Sequence, residues 1–361
     1  MRREFLQLAH VYNGESNIAA WYASTKFDGS RAWWDGGITR GLDTKEVPWA
    51  NTEKEGRYIT IPKATGLWSR YGRPIQAPDW WLDTMPDIPL DGELWMGRGK
   101  FQESMSVTRQ LVPNNDWERV KYMVFDAPSY REVMQNGTIR IKGKYEKDFV
   151  NFLPWLLERA KTKNVFYLTA GKTYEFTIDL LRKEFDGSHP YIEVVQQTQL
   201  PFDVEKAKEM AYELAAKEIE EGGEGVMVRL GRSMWNPKRV HTLVKIKPYL
   251  DDEGLVVGYK WGKETELGSK LLGMMGSLMV QWHGKIFSLS GFTEAERQMS
   301  HVFMPEIQPI VEGSQNPGQL VSASFYNPKF PLRSTITFQY RELTVDGIPK
   351  EARYYRRRPE E

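Results

Sequence analysis

Charged side chains next to glycines recur along the first 247 residues, and their types suit phosphate chemistry. The first is Lys26, in Lys26-Phe27-Asp28-Gly29-Ser30-Arg31. A lysine beside a glycine turn can bring its amine to a site that phosphates approach closely. As a nucleophile it must shed its proton. Cationic neighbours and partial desolvation lower the pKa from its usual value of ~10.4. Arg31, five residues on, could orient a phosphate with its guanidinium fork or hold a nucleotide sugar. Two acidic residues follow, Glu93 in Asp91-Gly92-Glu93 and Glu224 in Glu224-Gly225-Val226. Carboxylates with little bulk beside them suit Mg2+, which keeps several waters and bridges to substrate phosphate. Lys245 and Lys247 complete the set; two apart on a strand, they share a face and can contact two phosphates. Singly, each also has an ordinary reading: an Asp-Gly turn, an acidic turn residue, or edge-strand lysines that discourage aggregation.

The elements that must position these residues are short, because 30 Gly and 20 Pro break the apolar runs at strand lengths. Residues 24–34 read as strand, tight turn at Asp28-Gly29, and strand. A second strand pair is expected around Asp91-Gly92, and residues 120–126 form a candidate buried strand. Residues 37–66 are polar and turn-rich and read as a long hairpin or insertion; residues 298–332 read as another insertion. The spacing predicts helices over 149–161 and 202–221, the latter opening at an Asp203 N-cap and stopping at Gly222-Gly223. Strands are expected at 224–230 and 240–246. Residues 248–254 read as a domain joint. Beyond it, strands at 254–261, 278–283, 286–290, 321–325 and 335–340 suit a small barrel such as the five-stranded OB-fold.

Composition excludes several functions. The 361 residues carry 49 Lys plus Arg against 48 Asp plus Glu, a net charge of +1. Bulk charge therefore holds no histone-like partner, although a local basic groove is allowed. With no Cys, there can be no disulfide, thiol nucleophile, Cys-based zinc site or iron–sulfur cluster. The five His residues (10, 189, 241, 283 and 301) show no helical metal-pair spacing. The N-terminus lacks the apolar run of a signal peptide, and no stretch approaches the ~20 apolar residues of a membrane span. A soluble, cytoplasmic protein without a membrane partner is expected. Its 13 Trp point to a β-rich fold packed by large side chains, with a few at most as platforms for bases.

The order of the motifs carries a resemblance. Residues 26–31, Ser69-Arg70-Tyr71-Gly72, Asp91-Gly92-Glu93, Phe125-Asp126, 224–228 and 243–247 resemble motifs I, Ia, III, IIIa, IV and V of the covalent nucleotidyltransferase superfamily. Six motifs in order over about 220 residues resemble, more narrowly, ATP-dependent DNA ligases of the small phage and minimal bacterial type. Residues 291–297 and 340–344 resemble the family's OB domain, and Arg356 and Arg358 resemble motif VI. The resemblance implies an α+β fold: an adenylation domain of mainly antiparallel sheets with flanking helices (1–247), then a C-terminal OB-fold barrel (248–361). It implies Lys26 as nucleophile, Arg31 and Arg70 on phosphate or sugar, and Glu93 on ribose or metal. Phe125 would stack on adenine, Glu224 would hold Mg2+ (with Mn2+ able to substitute), and Lys245 and Lys247 would hold the α-phosphate of ATP. Arg356 and Arg358 would add nucleotide contacts.

The implied activity is sealing of nicked double-stranded DNA by a monomer, through a lysyl-AMP and a 5′-adenylated DNA. Relatives commonly carry Glu one or two residues before the lysine; here Ser24 and Thr25 stand there. An RNA ligase or a capping-type guanylyltransferase would share the lysine motif, and a non-catalytic OB-containing nucleic-acid-binding protein belongs to another class. A Trp-rich carbohydrate enzyme using Glu93 and Glu224 would leave the lysines unexplained. An NAD+-dependent ligase is disfavoured, since no cofactor domain fits before Lys26 and no Cys is present for a zinc module.

Overall fold

The computed structural model describes residues 5–51, 62–134, 139–141, 144–146, 149–160, 171–185, 187–247, 249–262, 271–301, 325–344 and 346–355. They fall into two compact units, Met1–Lys247 and Pro248–Glu361. In chain order, the first unit's strands are β1 (Leu8–Val11), β2 (Tyr22–Thr25), β3 (Ser30–Asp35), β4 (Leu67–Ser69), β5 (Pro89–Trp95) and β6 (Lys121–Asp126). They continue with β7 (Ile139–Ile141), β8 (Lys144–Glu146), β9 (Ile192–Val194), β10 (Thr198–Gln199), β11 (Val226–Arg229) and β12 (Arg239–Ile246). Two five-stranded sheets result, ordered β1-β12-β11-β2-β10 and β4-β3-β5-β6-β9, with β7 and β8 as a separate pair. Only the β1–β12 and β6–β9 pairs are parallel among the described strands of these two sheets. The unit is α+β, as the sequence implied.

Helix Val204–Glu220 covers one face of the first sheet. Ala207, Ala211 and Ala215 recur every four residues, a stripe of small side chains that packs against Ala23, Val226, Val228, Val244 and Ile246. The Asp203 carboxylate caps the helix by accepting from the Lys206 N–H at 2.9 Å, and Gly222 ends it at φ +79°. Helix Phe149–Arg159 also stands where the sequence placed one. In the second sheet, Trp34, Leu90, Leu94, Tyr122 and Val124 face a core closed by Trp81 and Trp117. The opposite face packs Trp33 into a second cluster with Trp49 and Trp68. Four tryptophans (33, 68, 81 and 117) are fully buried, so much of the tryptophan content is packing.

Three local expectations change. The strands flanking Asp28-Gly29 exist but do not form a hairpin, because β2 belongs to the first sheet and β3 to the second. Gly29 serves a close approach instead, since a Cβ there would collide with the Leu94 carbonyl oxygen. Asp91-Gly92 is likewise no turn but the middle of β5, where a Cβ on Gly92 would lie 2.6 Å from the Met123 oxygen and 2.7 Å from the Tyr122 ring. Of residues 37–66, the described ones (37–51 and 62–66) hold a 3-10 turn, Thr44–Glu46, and no strand, so no hairpin stands among them.

In the second unit, β13 (Leu250–Trp261), β14 (Met275–Trp282), β15 (Lys285–Leu289), β16 (Ser300–His301) and β17 (Phe325–Tyr326) come first. They are followed by β18 (Thr335–Tyr340), β19 (Glu342–Leu343), β20 (Pro349–Lys350) and β21 (Arg353–Tyr354). The main sheet runs β15-β14-β13-β18-β21 over a core that includes Val256, Leu278, Val280, Phe287, Leu289 and Phe338. A lone parallel bridge, Ser290–Arg353, links its two edges; among the described residues no continuous ladder closes the barrel. Residues 250–254, read as part of a joint, pair with β18, and the acidic Asp251 and Glu253 sit on exposed positions of that strand. The fifth strand of the sheet is Arg353–Tyr354. The expected strand at 321–325 falls mostly outside the described residues, and Phe325–Tyr326 pairs with Ser300–His301.

The Tyr122 hydroxyl has the Leu90 and Ala32 carbonyls within reach of its single proton, at 2.9 and 3.1 Å, and accepts from the Trp34 N–H at 3.2 Å, which pins the ring over Gly92. Gly92→Ala should therefore cost about 1–3 kcal/mol through overpacking. A lowered thermal midpoint, followed by tryptophan fluorescence, checks it.

Candidate active site

The register of three adjacent strands creates the site. Val226 of β11 pairs with Thr25 of β2 on one side and Ile246 of β12 on the other. The next residues outward, Lys26, Gly225 and Lys247, therefore stand abreast at the sheet end. The Lys26 N–H donates to the Gly225 carbonyl at 2.9 Å. Gly225 has φ +113°, and a Cβ there would strike the Ile246 carbonyl oxygen, so glycine alone fits. That turn re-aims the chain at Glu224, whose carboxylate takes a lysine on each oxygen. The Lys26 ammonium pairs with Oε2, and Lys247 Nζ donates to Oε1 at 2.6 Å. The three side chains keep only 22%, 13% and 15% exposure for Lys26, Glu224 and Lys247. Lys245 lies on β12, two residues before Lys247 and opposite Met227, which in turn pairs with Ser24.

Electrostatics make Lys26 unusual. Burial pushes its pKa down to about 8, Lys247 and Lys245 push the same way, and Glu93 and Asp28 oppose them. Burial raises Glu93 to about 7 against the pull of Lys26 and Arg31, with Asp91 raising it further and Arg70 lowering it. Lys26 and Glu93 thus lie close enough to alter each other's proton affinity although they come from different sheets.

On the second sheet, Arg31 of β3 stands opposite Glu93 of β5. Its fork is held by Asp91, with Nε to Oδ1 and Nη2 to Oδ2 both at 2.7 Å. Asp91 is fully buried and also accepts from the Trp235 indole N–H at 2.9 Å. The Arg31 guanidinium lies 4.6 Å from the centroid of the Phe125 ring. Phe125 is half-buried and is the extra residue of a bulge, since Asp91 pairs with Asp126 while Gly92 pairs with Val124. Its neighbour Asp126 forms a buried ion pair with Arg229 of β11, over the Tyr174 ring. Arg70 is exposed just after β4, against the Tyr71 ring at 4.7 Å.

Lys26, Glu224, Lys245 and Lys247 thus gather on one sheet end, with Arg31, Glu93 and Phe125 on the other sheet. Arg356 and Arg358 lie outside the described residues. Sequence reasoning gave Asp91 no role of its own and passed over Trp235, because their contact spans 144 positions and has no local signal. Among the described residues no three His, Asp or Glu side chains cluster as a ready-made metal site. No helix there is long and apolar enough to cross a membrane. A buried amine of lowered pKa, flanked by two lysines and two carboxylates, is suited to attack on phosphorus.

Residues 268–358 match the family described as DNA ligase OB-like domain. A DNA ligase of Haemophilus influenzae is 24% identical over 352 residues, covering 97% of this chain and 91% of the relative. A solved structure described as a structure-function analysis of Lig E DNA ligases superposes with a TM-score of 0.59 at 25% identity, covering 97% and 98% of the two chains. Another, described as Pmar-Lig_PreS3, shares the fold with a TM-score of 0.53 at 16% identity over 98% of this chain and 68% of its own. The C-terminal unit thus matches a DNA ligase OB-like domain, and the chain as a whole is similar in fold to solved DNA ligase structures.

Asp91→Asn should cost on the order of 3 kcal/mol, because it removes the charge that compensates a largely buried Arg31. Thermal unfolding of the variant against the wild type measures it.

Proposed function

We propose that the protein is an ATP-dependent DNA ligase that seals nicks in duplex DNA, acting as a cytoplasmic monomer. The observation that carries this reading is the meeting of Lys26, Glu224 and Lys247 at one sheet end. The Lys26 amine attacks the α-phosphorus of ATP, a nitrogen–phosphorus bond forms, and the α–β anhydride breaks with loss of pyrophosphate. The AMP then moves to the 5′-phosphate of the nick. The 3′-hydroxyl attacks that phosphate, sealing the strand and releasing AMP. Each step is an in-line transfer, in which positioning and charge neutralisation do most of the catalysis.

This chain's residues divide that work. Burial together with Lys245 and Lys247 favours the neutral Lys26, whereas Glu224 favours its charged form, so loosening the Lys26–Glu224 pair activates the nucleophile. Lys245 and Lys247 neutralise the α-phosphate. Arg31, held by Asp91, and Arg70 take phosphate or sugar oxygens, and Phe125 offers a face to adenine. Arg356 and Arg358 would add nucleotide contacts. Glu224 and Glu93 are the carboxylates that would hold Mg2+, or Mn2+ in its place, an ion that suits few carboxylate ligands. The bound cation would supply further neutralisation of the phosphates. Since the net charge is only +1, a local basic face must grip the DNA, and affinity should fall steeply with salt.

Incubation with a nicked duplex and Mg2+ should give sealing with ATP but not with GTP or NAD+. Sealing only of nicked RNA, or labelling only by GTP, would overturn the reading in favour of an RNA ligase or a capping enzyme. Glu224→Gln should slow sealing about a hundredfold.

The pH dependence has a definite sign. Only the unprotonated amine reacts, so the lysine-adenylation rate should rise about tenfold per unit below pH 8 and level off above it. A rate that stays flat from pH 6 to 9 would contradict this role for Lys26.

A further inference from the structure

Glu218 occupies a place where its helix disfavours it. It follows Ala211 and Ala215 by seven and three residues, on the stripe that faces the first sheet. It also lies in the last helical turn, where the negative end of the helix dipole opposes a carboxylate. Its side chain is only 15% exposed. Two partners offset these costs. The Thr25 hydroxyl donates to Glu218 Oε1 at 2.9 Å, and Arg98, from the loop after β5, donates to Oε2 at 2.5 Å. Arg98 also reaches Glu221 at 3.2 Å.

The backbone closes the same knot. The Gly223 N–H donates to the Glu218 carbonyl at 2.6 Å, and a Cβ on Gly223 would lie 2.5 Å from an Arg98 guanidinium nitrogen. Thr25 immediately precedes Lys26, and Gly223 immediately precedes Glu224. Glu218 therefore anchors the chain next to both members of the ion pair at the heart of the site, its carboxylate through Thr25 and its backbone carbonyl, with Arg98 packed beside it, through Gly223.

We infer that Glu218, braced by Arg98, is a positioning residue for lysine adenylation, setting the spacing of Lys26 and Glu224 through Thr25 and Gly223. The inference rests on the nucleotidyl-transfer reading given above. Charged groups close in violation of local preference mark such sites, because only a requirement elsewhere retains them. A displacement of about 1 Å at a reacting pair is enough to cost about a hundredfold in rate.

The test is single-turnover adenylation of the full-length protein with α-labelled ATP and Mg2+, across pH 6.5–9, alongside thermal melts. Glu218→Ala and Arg98→Ala should each lose about tenfold to a hundredfold in the rate at saturating ATP. The ATP concentration for half-maximal rate should stay within about twofold, since the ATP contacts are elsewhere. Arg98→Lys, which keeps a cation for Glu218, should recover part of the loss. Rates equal to wild type in folded variants would overturn the inference, as would losses that merely track the unfolded fraction at the assay temperature. An unlabelled wild type would remove the nucleotidyl-transfer reading itself, a failure distinct from unlabelled or slow variants beside a labelled wild type.

Discussion

One carboxylate shared by two lysines organises this site. Glu224 sits between Lys26 and Lys247 because three strands share a register that ends at Thr25, Val226 and Ile246. Two buried ammonium groups flanking one carboxylate leave an excess of positive charge, and that excess together with burial lowers the Lys26 pKa. The small-residue stripe Ala207-Ala211-Ala215 matters for the same reason, because it lets the helix lie close against the sheet that fixes the register.

The second sheet contributes through ties of its own. Asp91 takes both nitrogens of the Arg31 fork and the Trp235 indole, which holds Arg31 over Phe125 and opposite Glu93. The buried Asp126–Arg229 pair joins β6 of the second sheet to β11 of the first. Such a pair adds little net stability, yet removing either partner strands a buried charge. The two sheets, and with them Lys26 and Glu93, are thereby held in one arrangement.

What the sequence made legible was local chemistry. Lys26, Glu93 and Glu224 stand out as charged groups beside glycines and Lys245 and Lys247 as lysines two apart, and the structure brings Lys26, Glu224, Lys245 and Lys247 to one sheet end. The helix Val204–Glu220 could be bounded because Asp203 and Gly222 are local signals. Distant partners left no such trace. An Asp-Gly pair reads as a turn from its neighbours alone, whereas Gly29 answers to the Leu94 carbonyl and Gly92 to Tyr122 across the sheet. Thr25 stands where relatives commonly carry Glu, and its acidic partner, Glu218, lies 193 positions away. The second unit's fifth strand was missed because Arg353–Tyr354 is only two residues long, too short to show an alternating pattern.

The measurement closest to the central claim is peptide mapping by mass spectrometry after the stripped protein has been incubated with ATP and Mg2+. One AMP on the peptide containing Lys26, reversed by pyrophosphate, is the predicted result. AMP on Lys245 or Lys247 instead, or no adduct at all, would contradict the assignment of Lys26 as the nucleophile that Glu224 and Lys247 hold in place.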